Sequence, residues 1–215
     1  MNGASFLARF RLLRRPGALP GPAGKSAMIR AFAAIDLPGD VRDRLVRLQE
    51  AMQIGRPVPL ENLHLTLVFL GELPEQVLDE VHLAFSQIRA EPFELTLSGL
   101  DLFGGHKPRV LYARVTPNPA LEHLQSRLAQ AARMAGAAVE GGRFVPHVTL
   151  AYLNVARTGR ARINRAVVDN MGFQAGPIPV NDIALYRSDL GRGPARHREL
   201  ARYPLFALSD PPPPA

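Results

Sequence analysis

Two short segments of this 215-residue chain repeat one pattern. His64-Leu65-Thr66-Leu67 and His147-Val148-Thr149-Leu150 both read His-x-Thr-Leu. The chain holds only six histidines and five threonines, so two such pairs arise by chance in roughly one sequence in a hundred of this composition. Histidine titrates near neutral pH, so one imidazole can stand neutral as a general base while another stands protonated as a general acid. Threonine hydroxyls donate to oxygens that hold or develop negative charge. A phosphodiester suits the set. One imidazole activates a nucleophile in line, the other protonates the departing oxygen, and the two hydroxyls grip the non-bridging oxygens. That chemistry needs no metal.

Competing uses of two histidines lack their companions. There is no His-x-x-x-His and no cysteine, and the only acids beside the motifs are Glu61 and Glu72; zinc hydrolases take three protein ligands. A G-x-S-x-G nucleophile elbow, a Walker loop and a G-x-G-x-x-G turn are all missing.

Strands would present the two motifs well, because their side chains alternate faces. Strict alternation puts His64, Thr66 and Val68 on one face and Leu65, Leu67 and Phe69 on the core face. The second copy puts His147 and Thr149 opposite Val148, Leu150 and Tyr152. Phe69 and Tyr152 are thus expected in the core rather than stacked on a base.

The surrounding pattern predicts strands at 29–36, 63–70, 93–103, 109–115, 146–153, 183–187 and 203–208. It predicts helices at 37–52, 75–89, 119–135 and 160–170, striped by residues such as Val41, Leu45 and Leu48 or Leu121, Leu124 and Leu128. Each His-x-Thr strand follows a helix and a loop, which implies two related halves packed side by side.

Composition narrows the setting. A hydrophobic share of 47% is enough for a sizeable core. With no cysteine, disulfides and thiolate chemistry are excluded and the cytoplasm is the default compartment. No stretch approaches the length of a membrane span. The net charge is +7, but residues 1–27 carry five of those charges and no acid, leaving +2 for the rest. A general polyanion-binding face is therefore not implied. That basic, Pro- and Gly-rich head reads as a transit peptide or, preferably, as a translated region ahead of a start at Met28. It is expected to be disordered, as is the Pro-rich tail at 209–215, with one folded domain of two lobes at 28–208.

The paired motifs and their flanks, "RAFAAIDLP", "ENLHLTLVFLGEL", "FELTLSGLDLF", "KPRVLYARV", "FVPHVTLAYL" and "IALYRSDLGRGPARHRELARYPL", resemble the 2H phosphoesterases. Within them the likeness is to the RNA 2′,3′-cyclic phosphodiesterases, or LigT-like 2′-5′ RNA ligases. The resemblance implies an α+β fold of two pseudo-symmetric lobes, each an antiparallel sheet with flanking helices, around a cleft. It implies cofactor-free hydrolysis of an RNA terminal 2′,3′-cyclic phosphate to a 2′-phosphate, together with reversible 2′-5′ RNA ligation. His64 is then the proton donor, His147 the proton acceptor, and Thr66 and Thr149 bind the phosphate. The expected partner is cyclic-phosphate-ended RNA, tRNA-derived RNA included, with no metal, no membrane and a monomeric enzyme. Two alternatives stand: a phosphoesterase on a small cyclic nucleotide such as an ADP-ribose cyclic phosphate, and a non-catalytic RNA-end-binding module.

Two positions depart from that family's pattern. Tyr152 stands where an arginine is common, leaving Arg143, Arg187 and Arg192 as candidate substitutes, although plain surface charge is the preferred reading of each. Arg56 to Pro59 stand where an aromatic is common. Among the other histidines, His82 and His123 read as solvated helix faces and His106 as a hairpin tip. His197 belongs to a basic stretch that is either a linker or a flap over substrate.

Overall fold

The structure is a computed structural model that describes residues 28–206. The expectations for the head at 1–27 and the tail at 209–215 lie outside the described residues.

In chain order the elements are β1 (Met28–Asp36), α1 (Gly39–Met52), β2 (Arg56–Pro57), β3 (His64–Pro74), α2 (Glu75–Ser86), β4 (Phe93–Phe103), β5 (Val110–Val115), α3 (Pro119–Met134), β6 (His147–Tyr152), α4 (Val155–Thr158), α5 (Arg160–Asp169), β7 (Gln174–Val180), β8 (Asp182–Asp189) and β9 (Arg196–Pro204). The strands form one antiparallel sheet in the order β7-β4-β5-β6-β3-β1-β8-β9, with the short β2 added to β6. The sheet divides at β6 and β3 into two four-stranded halves. Only Leu65 and Val148 pair across that seam. These are the two lobes of the expected α+β fold.

The long helices form where apolar residues recur at helical spacing, and they cross between lobes. Val41, Leu45 and Leu48 of α1 are buried. This helix follows β1 but packs on β6 and β7 of the other half, where Arg44 donates to the Gln174 carbonyl at 2.6 Å. The side chain of Asn118 caps α3 by accepting from Leu121 N at 3.0 Å. Leu121, Leu124 and Leu128 are wholly buried, each contributing about 1.5–3 kcal/mol of apolar transfer. α3 follows β5 but packs on β3 and α2 of the opposite half. Each lobe thus lends a helix to the other, and this holds the seam.

Two strand readings and one histidine need correction. β7 was not expected, because Pro177 and Pro179 cannot donate to a ladder; it lies at the sheet edge, where proline is tolerated. β9 begins at Arg196 rather than at 203, and its charged run suits the opposite edge. His82 is not a solvated face: its Nδ1 lies 2.8 Å from the Tyr203 hydroxyl. His123 is exposed as expected. His106 lies on an exposed turn, where Arg160 Nη1 donates to its carbonyl at 2.6 Å.

Candidate active site

His64, Thr66, His147 and Thr149 line one cleft of about 390 Å³. The Leu65–Val148 pair explains how. Antiparallel pairing at that point sets the two motifs side by side in opposite order, with His64 toward Thr149 and Thr66 toward His147. Leu65 and Val148 are wholly buried, so the residues on either side of each face the cleft.

Strict alternation then fails at the same place in both motifs. Thr66 pairs with Ala34 and Val68 with Ala33, leaving Leu67 as an extra residue. Thr149 pairs with Tyr112 and Ala151 with Leu111, leaving Leu150 extra. Each is a β-bulge, which reverses the facing of everything beyond it. Val68 therefore turns into the core, 2% exposed, while Phe69 turns outward at 44%. Ala151 is 2% exposed and Tyr152 is 50%. The expected facing of Val68, Phe69 and Tyr152 is thus overturned, and both aromatics line the cleft. The bulge carbonyl of Leu150 is satisfied by Val58 N at 2.8 Å and by the buried Gln49 Nε2 at 2.7 Å.

The cations of the cleft are not the three candidates, in keeping with the preferred reading of those as surface charge. Arg143, Arg187 and Arg192 do not line it, and Arg187 is paired with Asp189 at 2.6 Å. Arg30 and Arg56 line it instead. Arg30 lies over Phe69 at 4.4 Å and Arg56 over Tyr152 at 5.2 Å, within cation–π range. Arg56 thus brings a guanidinium to the Tyr152 position from the neighbouring β2.

Aromatic pairs back both imidazoles. Phe32 stacks on His64 at 4.9 Å and on Tyr186 at 5.4 Å. In the other half Tyr112 and Phe103 stack on each other at 4.1 Å, and their rings meet His147 edge-on at 5.2 and 4.8 Å. Each ring is also pinned to backbone two residues upstream. His147 Nδ1 donates to the Val145 carbonyl at 2.7 Å, and His64 hydrogen-bonds the Asn62 backbone. His64 Nε2 is left facing Thr66 Oγ1 at 3.1 Å.

Burial pushes His64 down to about 4, the neighbouring His197 ring acts in the same direction, and the Asp36 carboxylate opposes both. Burial also lowers His147, against its bond to the Val145 carbonyl. Both rings are therefore neutral at pH 7 in the free protein. Asp36 is held by the Tyr186 hydroxyl at 2.7 Å and by Arg202 at 2.6 Å, which fixes a negative charge behind His64.

The stretch before His197 is not a mere linker, since Gly193, Pro194 and Ala195 line the cleft, and His197 itself is part of a strand. It stands at the start of β9 and lines the cleft, 5.4 Å edge-on from His64 and 4.9 Å from Phe32. Its Nδ1 is buried without a partner. Asn62 Nδ2 donates to the Ala195 carbonyl at 2.8 Å and so ties the β8–β9 connection to the approach of His64. No group of three His, Cys, Asp or Glu side chains spaced to hold a metal ion occurs among the described residues. The one early signal for the missed aromatics was that both motifs carry an aromatic two residues after the shared leucine, Phe69 and Tyr152.

Known proteins resemble this chain in sequence and in fold. An RNA 2′,3′-cyclic phosphodiesterase of Escherichia coli is 31% identical over 180 residues, covering 82% of this chain and 96% of the relative. One from Thermus thermophilus is 37% identical over 173 residues, covering 75% and 83%. The crystal structure of E. coli LigT complexed with 3′-AMP superposes with a TM-score of 0.69 at 29% identity, covering 84% of this chain and 99% of that one. The family model of the 2′-5′ RNA ligase superfamily matches residues 38–192, the span that carries both His-x-Thr strands and their bulges, and the chain belongs to that superfamily.

Proposed function

We propose that the cleft hydrolyses RNA terminal 2′,3′-cyclic phosphates to 2′-phosphates. The observation that carries this reading is that both His-x-Thr pairs line one cleft in opposed order. His147 Nδ1 is committed to a carbonyl, so its Nε2 is free to accept a proton from water. The water oxygen bonds to phosphorus as the P–O3′ bond breaks, and protonated His64 gives its proton to O3′. Thr66 and Thr149 donate to the non-bridging oxygens as charge builds. His64 leaves the cycle neutral and His147 protonated, and exchange with solvent restores both.

The assignment of the acid rests on charge. Asp36 favours the cationic form of His64, and an anionic phosphate in the cleft adds to that effect. Among the described residues no carboxylate acts on His147 in the same way. The same steps with a 5′-hydroxyl in place of water join it to phosphorus as P–O3′ breaks and leave a 2′-5′ phosphodiester; run backwards, they return the cyclic end and the free hydroxyl.

The relatives named as RNA 2′,3′-cyclic phosphodiesterases support the substrate class. No helix among the described residues is long and apolar enough to cross a membrane. The proposed setting is a cytoplasmic monomer acting on RNA ends, tRNA-derived ends among them. The test is an RNA oligomer ending in a 2′,3′-cyclic phosphate, incubated with purified protein in EDTA, with the product isomer assigned by phosphorus NMR. A 2′-phosphate formed at an EDTA-insensitive rate supports the reading. A 3′-phosphate, or a cyclic end left intact, refutes it.

A further inference from the structure

We propose that a second, basic recess beside the cleft binds the phosphodiester backbone of the RNA strand upstream of the cyclic end. This rests on the reading of the cleft given above. The recess is walled by Arg56, Arg157 and Arg162 with no acidic residue, and it shares Arg56 and Tyr152 with the cleft. The two spaces therefore adjoin.

None of these three arginines has a carboxylate partner among the described residues, unlike Arg202, which bonds Asp36, Asp182 and Glu199. Three guanidiniums around one recess repel one another, and a bound anion relieves that repulsion. Arg162 Nη2 is spent on the Gln53 carbonyl at 3.0 Å. That bond fixes the guanidinium while its other N–H groups stay available for phosphate oxygens. The Asn154 side chain accepts from Arg157 N at 3.3 Å and so anchors the backbone of Arg157 on the same wall.

The register gives the strand a direction. The pairing of Leu65 with Val148, continued along both strands, orders the cleft face as Phe69, then Thr66 beside His147, then His64 beside Thr149, then Tyr152. If His64 protonates O3′, the ribose lies on the His64 side of phosphorus. That is the side toward Tyr152, Arg56 and the recess. The chain that continues from this ribose meets Arg157 and Arg162. A cyclic mononucleotide has no such continuation and does not reach them.

The test compares a 2′,3′-cyclic mononucleotide with an RNA pentamer ending in the same cyclic phosphate, for wild type and for R157A/R162A in the full chain. The wild type is expected to prefer the pentamer. The double variant is expected to lose about tenfold in kcat/KM on the pentamer while its mononucleotide rate is unchanged. Its log–log salt slope on the pentamer should flatten by roughly 1.4, for two lost contacts to a single strand, and R157K/R162K should keep the wild-type slope. Equal losses on both substrates, no loss on either, or a wild type indifferent to length overturns the inference. A wild type that cleaves neither substrate overturns the reading of the cleft, and this inference with it.

Discussion

Leu65 and Val148 are the one residue pair that joins β3 to β6. Both are wholly buried, and an approximate two-fold axis passes between them. Around it His64 answers His147 and Thr66 answers Thr149. The bulges at Leu67 and Leu150 answer each other, and an aromatic stack backs each imidazole, Phe32–Tyr186 in one half and Tyr112–Phe103 in the other. A near-symmetric site suits a reaction whose forward and reverse directions exchange the roles of acid and base.

The protonation states set the pH profile. His64 falls to about 4 and His147 is lowered from 6.5, burial being the first cause of each. On the proposed assignment the productive free enzyme has His64 protonated and His147 neutral. Its population falls about tenfold per unit as pH rises above both values. kcat/KM should therefore be greatest below pH 6.5 and decline through neutrality. A profile that climbs from pH 6 to 8 contradicts the assignment.

The same burial makes the fold sensitive to acid. The folded-state value of His64 lies below its unfolded value of 6.5, so the unfolded chain binds the extra proton. Stability should be complete above pH 6.5 and fall as pH drops toward 4, by about 3 kcal/mol for this group. Urea midpoints at pH 7 and pH 4.5 measure it. His64→Gln should lose part of the decline, and an equal decline in the variant would show that other groups cause it.

His197 offers a separate handle. Its ring is the second cause holding His64 down. His197→Phe keeps an aromatic ring against Phe32 and removes the like charge. The alkaline limb of kcat/KM should then move to higher pH, because His64 keeps its proton longer. A uniform drop in rate with an unmoved profile would mean that His197 serves only packing.

Gln49 underpins the second bulge. Its Nε2 serves the Val58 carbonyl at 2.9 Å and the Leu150 carbonyl at 2.7 Å. Gln49→Leu strands the Val58 carbonyl and weakens the bulge. The cost should be about 1–3 kcal/mol, or roughly 2–10 °C in melting temperature for a domain of this size. The rate should also fall as Thr149 and Tyr152 shift. An unchanged melting temperature would show that the bulge holds without Gln49.

Much of this was legible in the residues, and the failures share a cause. The four long helices could be read because Val41, Leu45 and Leu48 in α1, or Leu121, Leu124 and Leu128 in α3, recur at a period that survives in the fold. The four motif residues could be read because the repeat is local. Phe69 and Tyr152 were misread because alternation assumes an unbroken pleat, and one extra residue at Leu67 or Leu150 inverts it. Arg30, Phe32, Arg56 and His197 were missed as site residues because only register brings them there. His197, for example, pairs with Ser188 on β8, and β8 pairs with β1 beside β3. Nothing within a window around His64 reports that sequence of pairings.

The decisive measurement is kcat for His64→Ala and His147→Ala on an RNA oligomer ending in a 2′,3′-cyclic phosphate, with melting temperatures taken on the same samples. Each variant should lose about 10²–10⁴-fold and keep the fold. Activity within about tenfold of wild type in either one, on the scale of a single general acid or base, contradicts the claim that two imidazoles act together on one phosphorus.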